Sequence, residues 1–200
     1  MRTLAALLLI VLPSMACAKV TVLAYGALPG RGGDLALATA PALGNGVPGN
    51  RLGGLGSALD YAGCHRFLAL PDRGPNAMPW NRALDNTTAY INRVQTLRMT
   101  LAPARGDARF PMQVHARLLA TTLLWSSTPL VYGDGKDVGA ASGIPALDGS
   151  GRFYFTGRSD GFDPAHGSDW PADARLDPES LRLAPDGRTF YLGDEYGPHL

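Results

Sequence analysis

The chain has 200 residues, with 18 basic side chains against 17 acidic ones and a formal net charge of +1. So even a balance leaves no overall field to hold nucleic acid or an anionic membrane. Hydrophobic residues make up 46% of a chain that also carries 25 glycines and 16 prolines, which describes a turn-rich fold with a core rather than a disordered segment.

Arg2 precedes the apolar run 4–12, which is too short to span a bilayer and is followed by Ala16-Cys17-Ala18, a small-residue cleavage pattern. Residues 1–18 are therefore expected to be a secretory signal peptide, with the mature chain exported to a periplasmic or extracellular compartment. A rival reading acylates Cys17 and tethers the protein to a membrane, but Ser14 stands where such sites usually carry Leu. Without lipidation, no later segment is apolar and long enough for a membrane helix, and a soluble mature chain is expected. Loss of Cys17 with the signal leaves Cys64 without an internal disulfide partner, and its place beside Gly63 in a turn reads as incidental.

Residues 44–56 are glycine-dense and read as loop. The stretch 89–101 is rich in β-branched residues and alternates at several steps, which predicts a strand. Residues 114–125 also fit helical spacing in part; the expectation is again a strand. Asp134-Gly135-Lys136-Asp137 looks like the start of a calcium loop but lacks a distal Glu at the required spacing. Asn86-Thr87-Thr88 fits a glycosylation pattern, read here as incidental. His65, His115, His166 and His199 are scattered, and no Gly-x-Ser-x-Gly elbow is present to suggest a serine hydrolase.

The C-terminal region is the most informative. Pro185-Asp186-Gly187 is a turn with a mechanism: Pro sets φ, Asp bonds its own backbone, and Gly accepts a positive φ. Apolar runs 181–184 and 189–192 flank it with strand length and aromatic content. A hairpin returns to the side it left, so Asp177 and Glu179, before the first run, should meet Asp194 and Glu195, after the second.

Three segments, 63–75, 149–161 and 187–198, share a loose layout of glycine turn, arginine, short strand and acidic loop. Asp72, Asp160 and Asp194 fall at corresponding strand ends. Radial repetition of four-stranded antiparallel sheets, the β-propeller, converges such ends on one opening. The expected fold is all-β, a propeller incomplete in this chain, because the residues after the signal suffice for only about four blades. The chain would then be the N-terminal portion of a longer protein, or one that closes with a partner; its oligomeric state is open.

Glu179, the Pro185-Asp186-Gly187 turn and Asp194-Glu195-Tyr196-Gly197-Pro198, together with residues 54–61, 70–75, 90–97 and 156–163, resemble the exported bacterial family named "esterase-like activity of phytase", or phytase-like. One departure is Ser180, where that family usually has Gly. The resemblance implies a propeller domain over 19–200 and hydrolysis of phosphate or other esters, with no nucleic-acid partner. On that footing Asp72, Glu179, Asp194 and Glu195 are candidate ligands for Ca²⁺, which would neutralise a phosphate and orient a water. Glu179 and Glu195 are candidate catalytic carboxylates, and Arg73 and Arg158 candidate holders of the substrate's anionic oxygens. The alternative is a non-catalytic propeller that binds a glycan, peptide or anionic metabolite at the same opening.

Overall fold

The computed structural model describes residues 20–75, 87–132, 144–158, 166 and 170–197. The expected signal segment with Cys17, Asn86, the segment with Asp134 and Asp137, Asp160 and His199 lie outside those residues. Within them the protein is all-β, and its one helical turn is a short 3₁₀ segment, Leu37–Thr39.

Among the described residues nine strands form three sheets. The largest has β1 (Ala24–Tyr25), β5 (Met112–Leu123), β4 (Arg93–Pro103), β3 (Arg66–Pro71) and β2 (Leu55–Tyr61) side by side in that order. Strands β2 to β5 are consecutive antiparallel neighbours, and β1 adds to β5 in parallel. The other two sheets are two-stranded: β6 (Trp125–Ser126) with β7 (Phe153–Tyr154), and β8 (Pro178–Leu183) with β9 (Phe190–Asp194). Further four-stranded repeats are not formed among the described residues.

Of residues 114–125, the stretch 114–123 is strand in β5, and Trp125 opens β6 after a break at Leu124. β5 pairs β4 in unbroken contact from Arg93↔Leu123 to Pro103↔Met112 apart from one irregularity between Thr96 and Leu97. An alternating exposed and half-buried pattern runs along most of it, as expected of a strand with one wet face. Cys64 and His65 take positive φ in the exposed turn between β2 and β3, consistent with a turn role for the cysteine.

The β8–β9 hairpin forms where the sequence places it. Gly187 has φ +65°, and the Asp186 carboxylate accepts the backbone N–H groups of Arg188 and Thr189. Those N–H donors hold the Asp186 carboxyl below its usual range. Leu181 packs with Leu70 and Val94 at the centre of the core, with Ala58, Leu68, Leu124, Phe190 and Leu192 around them. The hairpin is also fastened by polar contacts: Asp60 on β2 accepts the Leu183 N–H at 2.7 Å and pairs with Arg182 at 2.9 Å.

A second polar anchor lies on the opposite side of β4. Arg93 and Asp34 form an ion pair of 2.6 Å with both side chains fully buried. Arg93 also donates to the Gly49 and Ile91 carbonyls and to Thr39, and its guanidinium lies 4.1 Å from the Tyr90 ring centre. Gln95 donates to the same Asp34 oxygen, and Thr121 donates to Gln95. These bonds tie the glycine-rich loop region to the sheet.

Candidate acidic site

The acidic mouth is built where β3 ends and β8 begins. Pro178 pairs with Asp194 and Ser180 with Gly193, so Glu179 is the extra residue of a β-bulge. A bulge turns a side chain away from the regular alternation and is common beside functional sites. Here it brings Glu179 to Asp177 and Glu195: one carboxylate oxygen from each lies within 4.8 Å of the others. Asp177 is buried, while Glu179 and Glu195 are exposed.

Ser180, the departure from the family pattern, is accommodated because its opposite number is Gly193. The Ser180 hydroxyl accepts the Gly193 N–H at 3.1 Å. A Cβ at residue 193 would collide with that hydroxyl.

Asp177 is held from several directions. One of its oxygens accepts the Arg73 backbone N–H at 3.0 Å, and the other faces the Arg73 guanidinium at 3.4 Å. Its own N–H donates to Asp194, and its carbonyl accepts the Glu195 N–H. Burial pushes the Asp177 carboxyl up to about 6; the charges of Glu179 and Asp72 push the same way, against the Arg73 N–H and guanidinium. A folded-state value above the ordinary 3.8 means that the native protein holds this proton more tightly than the unfolded chain. Stability is therefore expected to fall as pH rises from about 4 to about 6 and to stay lowered above that. Asp177→Asn should remove the penalty. At pH 7.5 without added metal, its melting temperature should exceed that of the parent by a few degrees, on the scale of about 2–4 °C per kcal/mol for a chain of this length; differential scanning calorimetry at pH 4 and 7.5 checks both statements.

The other candidate residues fall around this trio. Asp72 immediately follows β3 and accepts the Gly74 N–H at 2.8 Å, close enough to Asp177 to act on its proton. Asp194 turns inward and accepts the backbone N–H groups of Asp177 and Tyr196, so it shapes the mouth from within. Arg73 stands at the trio. Arg158 lines a separate cleft of about 390 Å³ with Thr87, Thr88, Ile91 and Leu147. Sequence reasoning placed Asp177 in the acidic group but not among the ligands; its position at the close of the β8–β9 pairing was the available signal.

Gly157 locks Arg73 in place. Any Cβ there would run into the Arg73 backbone, and the Gly157 carbonyl accepts the Tyr196 hydroxyl at 2.9 Å. Its N–H donates to the Tyr90 carbonyl. Gly157→Ala should therefore displace the Arg73 segment and cost on the order of 1–3 kcal/mol, the usual range for overpacking, read as a lower midpoint in urea unfolding.

A family model described as "Phytase-like: Esterase-like activity of phytase" matches residues 50–200. The chain belongs to this phytase-like family. The match covers β2 through β9 and every residue of the acidic mouth, while the Asp34 end of the buried ion pair lies outside it. No curated protein and no solved structure shows significant similarity to this phytase-like chain.

Proposed function

We propose that this phytase-like chain forms part of an exported, metal-assisted hydrolase of phosphate or other esters, working at the mouth of a β-propeller. The observation that carries the reading is the convergence of Asp177, Glu179 and Glu195 oxygens within 4.8 Å beside the Arg73 guanidinium. Such a spacing suits Ca²⁺, whose oxygen ligands sit about 2.3–2.6 Å from the ion and therefore up to about 5 Å from one another. The donors are all hard oxygens, which also fits calcium. Burial raises the proton affinity of Asp177, the nearby Glu179 and Asp72 charges add to it, and a bound cation would offset both.

Asp177, Glu179 and Glu195 would hold the ion, with Asp72 at its margin. Calcium, when bound, supplies Lewis-acid charge toward a phosphoryl or carbonyl oxygen. Arg73, held at the mouth through its backbone N–H, presents a guanidinium fork to a second substrate oxygen. Glu195, exposed beside Asp177, would accept the proton of an attacking water, and Glu179 would share that task. Asp194 keeps the two strand ends in register rather than meeting substrate. The four-stranded β2–β5 unit and the meeting of the β3 and β8 ends support the propeller reading.

Turnover of a panel of phosphomonoesters, carboxyl esters and lactones, with calcium and with excess chelator, tests this function. Calcium-dependent turnover of at least one class is expected. Saturable binding without turnover in any class would replace the hydrolase with a binding module.

A further inference from the structure

The face of the large sheet that carries Leu70 and Val94 into the core bears, at its uncovered end, a second charged feature of opposite sign. Arg66 on β3 is directly opposite Arg98 on β4, and Arg98 is directly opposite Arg117 on β5. Residues opposite one another across antiparallel strands point to the same face, with Cβ atoms about 4.5–5.5 Å apart. All three arginines are exposed. Three like charges thus stand in one row across three strands, an arrangement that destabilises a sheet.

No carboxylate relieves the row. Among the described residues none of the three has an ion pair or a side-chain hydrogen bond. The carboxylate carried by β2 on this face, Asp60, is taken by Arg182 and the Leu183 N–H. His115, opposite Thr100, continues the basic strip along β5. In a chain of net charge +1 such a strip is a local concentration, not an overflow of general basicity.

We propose that Arg66, Arg98 and Arg117 form a binding site for a soluble anion bearing two or more phosphate groups. Guanidinium forks match phosphate oxygens bidentately. A row spanning two strand spacings, about 10 Å, accommodates successive phosphates that share the central Arg98. A lipid surface suits the face less well. Leu59, Tyr61 and Leu101, the exposed large apolar side chains of β2 and β4, project from the opposite face; on this one, among the strands of the sheet, the exposed large apolar side chain is Tyr25 at the outer edge, opposite Gln113, while Leu70 and Val94 are covered by the core. Three arginines also fall short of the roughly four to eight basic residues typical of lipid-binding clusters. The site is separate from the acidic mouth and needs no metal.

Isothermal titration of tripolyphosphate into the full chain, in excess chelator, tests the proposal independently of hydrolysis. Binding that weakens with added salt is expected in the parent, with affinity lowered about tenfold or more in Arg98→Gln and unchanged in Arg152→Gln, whose arginine lies over Trp125 on another sheet. Because the row is exposed and self-repelling, Arg98→Gln should melt no lower than the parent, which separates lost binding from lost fold. Equal tripolyphosphate affinity in parent and Arg98→Gln, or orthophosphate binding as tightly as tripolyphosphate, would overturn the assignment. So would Arg98-dependent binding to phosphatidylserine vesicles in the absence of tripolyphosphate binding.

Discussion

Replacing Arg93 with alanine is expected to destabilise the protein by roughly 3–5 kcal/mol, the usual cost of leaving one member of a buried ion pair alone. Asp34 would be left without its ion partner in a fully buried site. Gly49, Ile91 and Thr39 would lose a donor in the same substitution, and the Tyr90 ring would lose its cation. A loss of this size is a large fraction of the total stability of a domain. Circular dichroism in a urea series reads it as a lower midpoint. The double variant Asp34→Leu/Arg93→Met separates the two sources of the effect: it should recover much of the lost stability, since an apolar pair leaves no charge unpaired.

Glu179→Gln is expected to lower hydrolysis by at least about 10²-fold, at the scale of losing a proton-transfer or charge-stabilising group. Glutamine keeps the size of the side chain and the bulge that presents it, while removing one negative charge from a trio packed within 4.8 Å. The fold should survive because Glu179 is exposed and the Pro178 and Ser180 pairings do not involve its carboxylate. Steady-state kinetics on a responsive ester, alongside a thermal melt, distinguishes lost chemistry from lost structure. Residual activity near that of the parent would move the catalytic role to Glu195.

The parts of the fold that were legible in the sequence are those encoded locally. The β8–β9 hairpin follows from a Pro-Asp-Gly turn between two apolar runs, and the Asp186 side chain makes the backbone bonds that its residue type predicts. The carboxylates around it gather at one end for the same reason. Residues 114–125 were ambiguous because Leu118, Leu119 and Leu123 satisfy helical spacing as well as strand alternation; partnership with β4, a non-local fact, decides between them.

What stayed hidden depends on register or on distance along the chain. Glu179 reaches Asp177 and Glu195 through a bulge, and a one-residue irregularity leaves no mark in composition or period. Asp34 belongs to no motif and nothing in the segment 90–97 marks Arg93 as its partner, yet they meet at 2.6 Å and hold a loop region that otherwise looks structureless. The arginine row is of the same kind, since Arg66, Arg98 and Arg117 become neighbours only once three strands are aligned. Asp72 and Arg73 follow β3 and meet Asp177 just before β8, whereas the loose repeat layout does not resolve into further four-stranded units among the described residues.

Calorimetric titration of Ca²⁺ into the metal-free protein, repeated on Glu179→Gln and Asp177→Asn, probes the acidic mouth most directly. One calcium ion per chain should bind the parent, with affinity reduced in both variants and with protons released at pH near 6 as Asp177 gives up its own. Binding of equal strength in all three proteins, or no binding in the parent, would contradict a calcium centre formed by Asp177, Glu179 and Glu195.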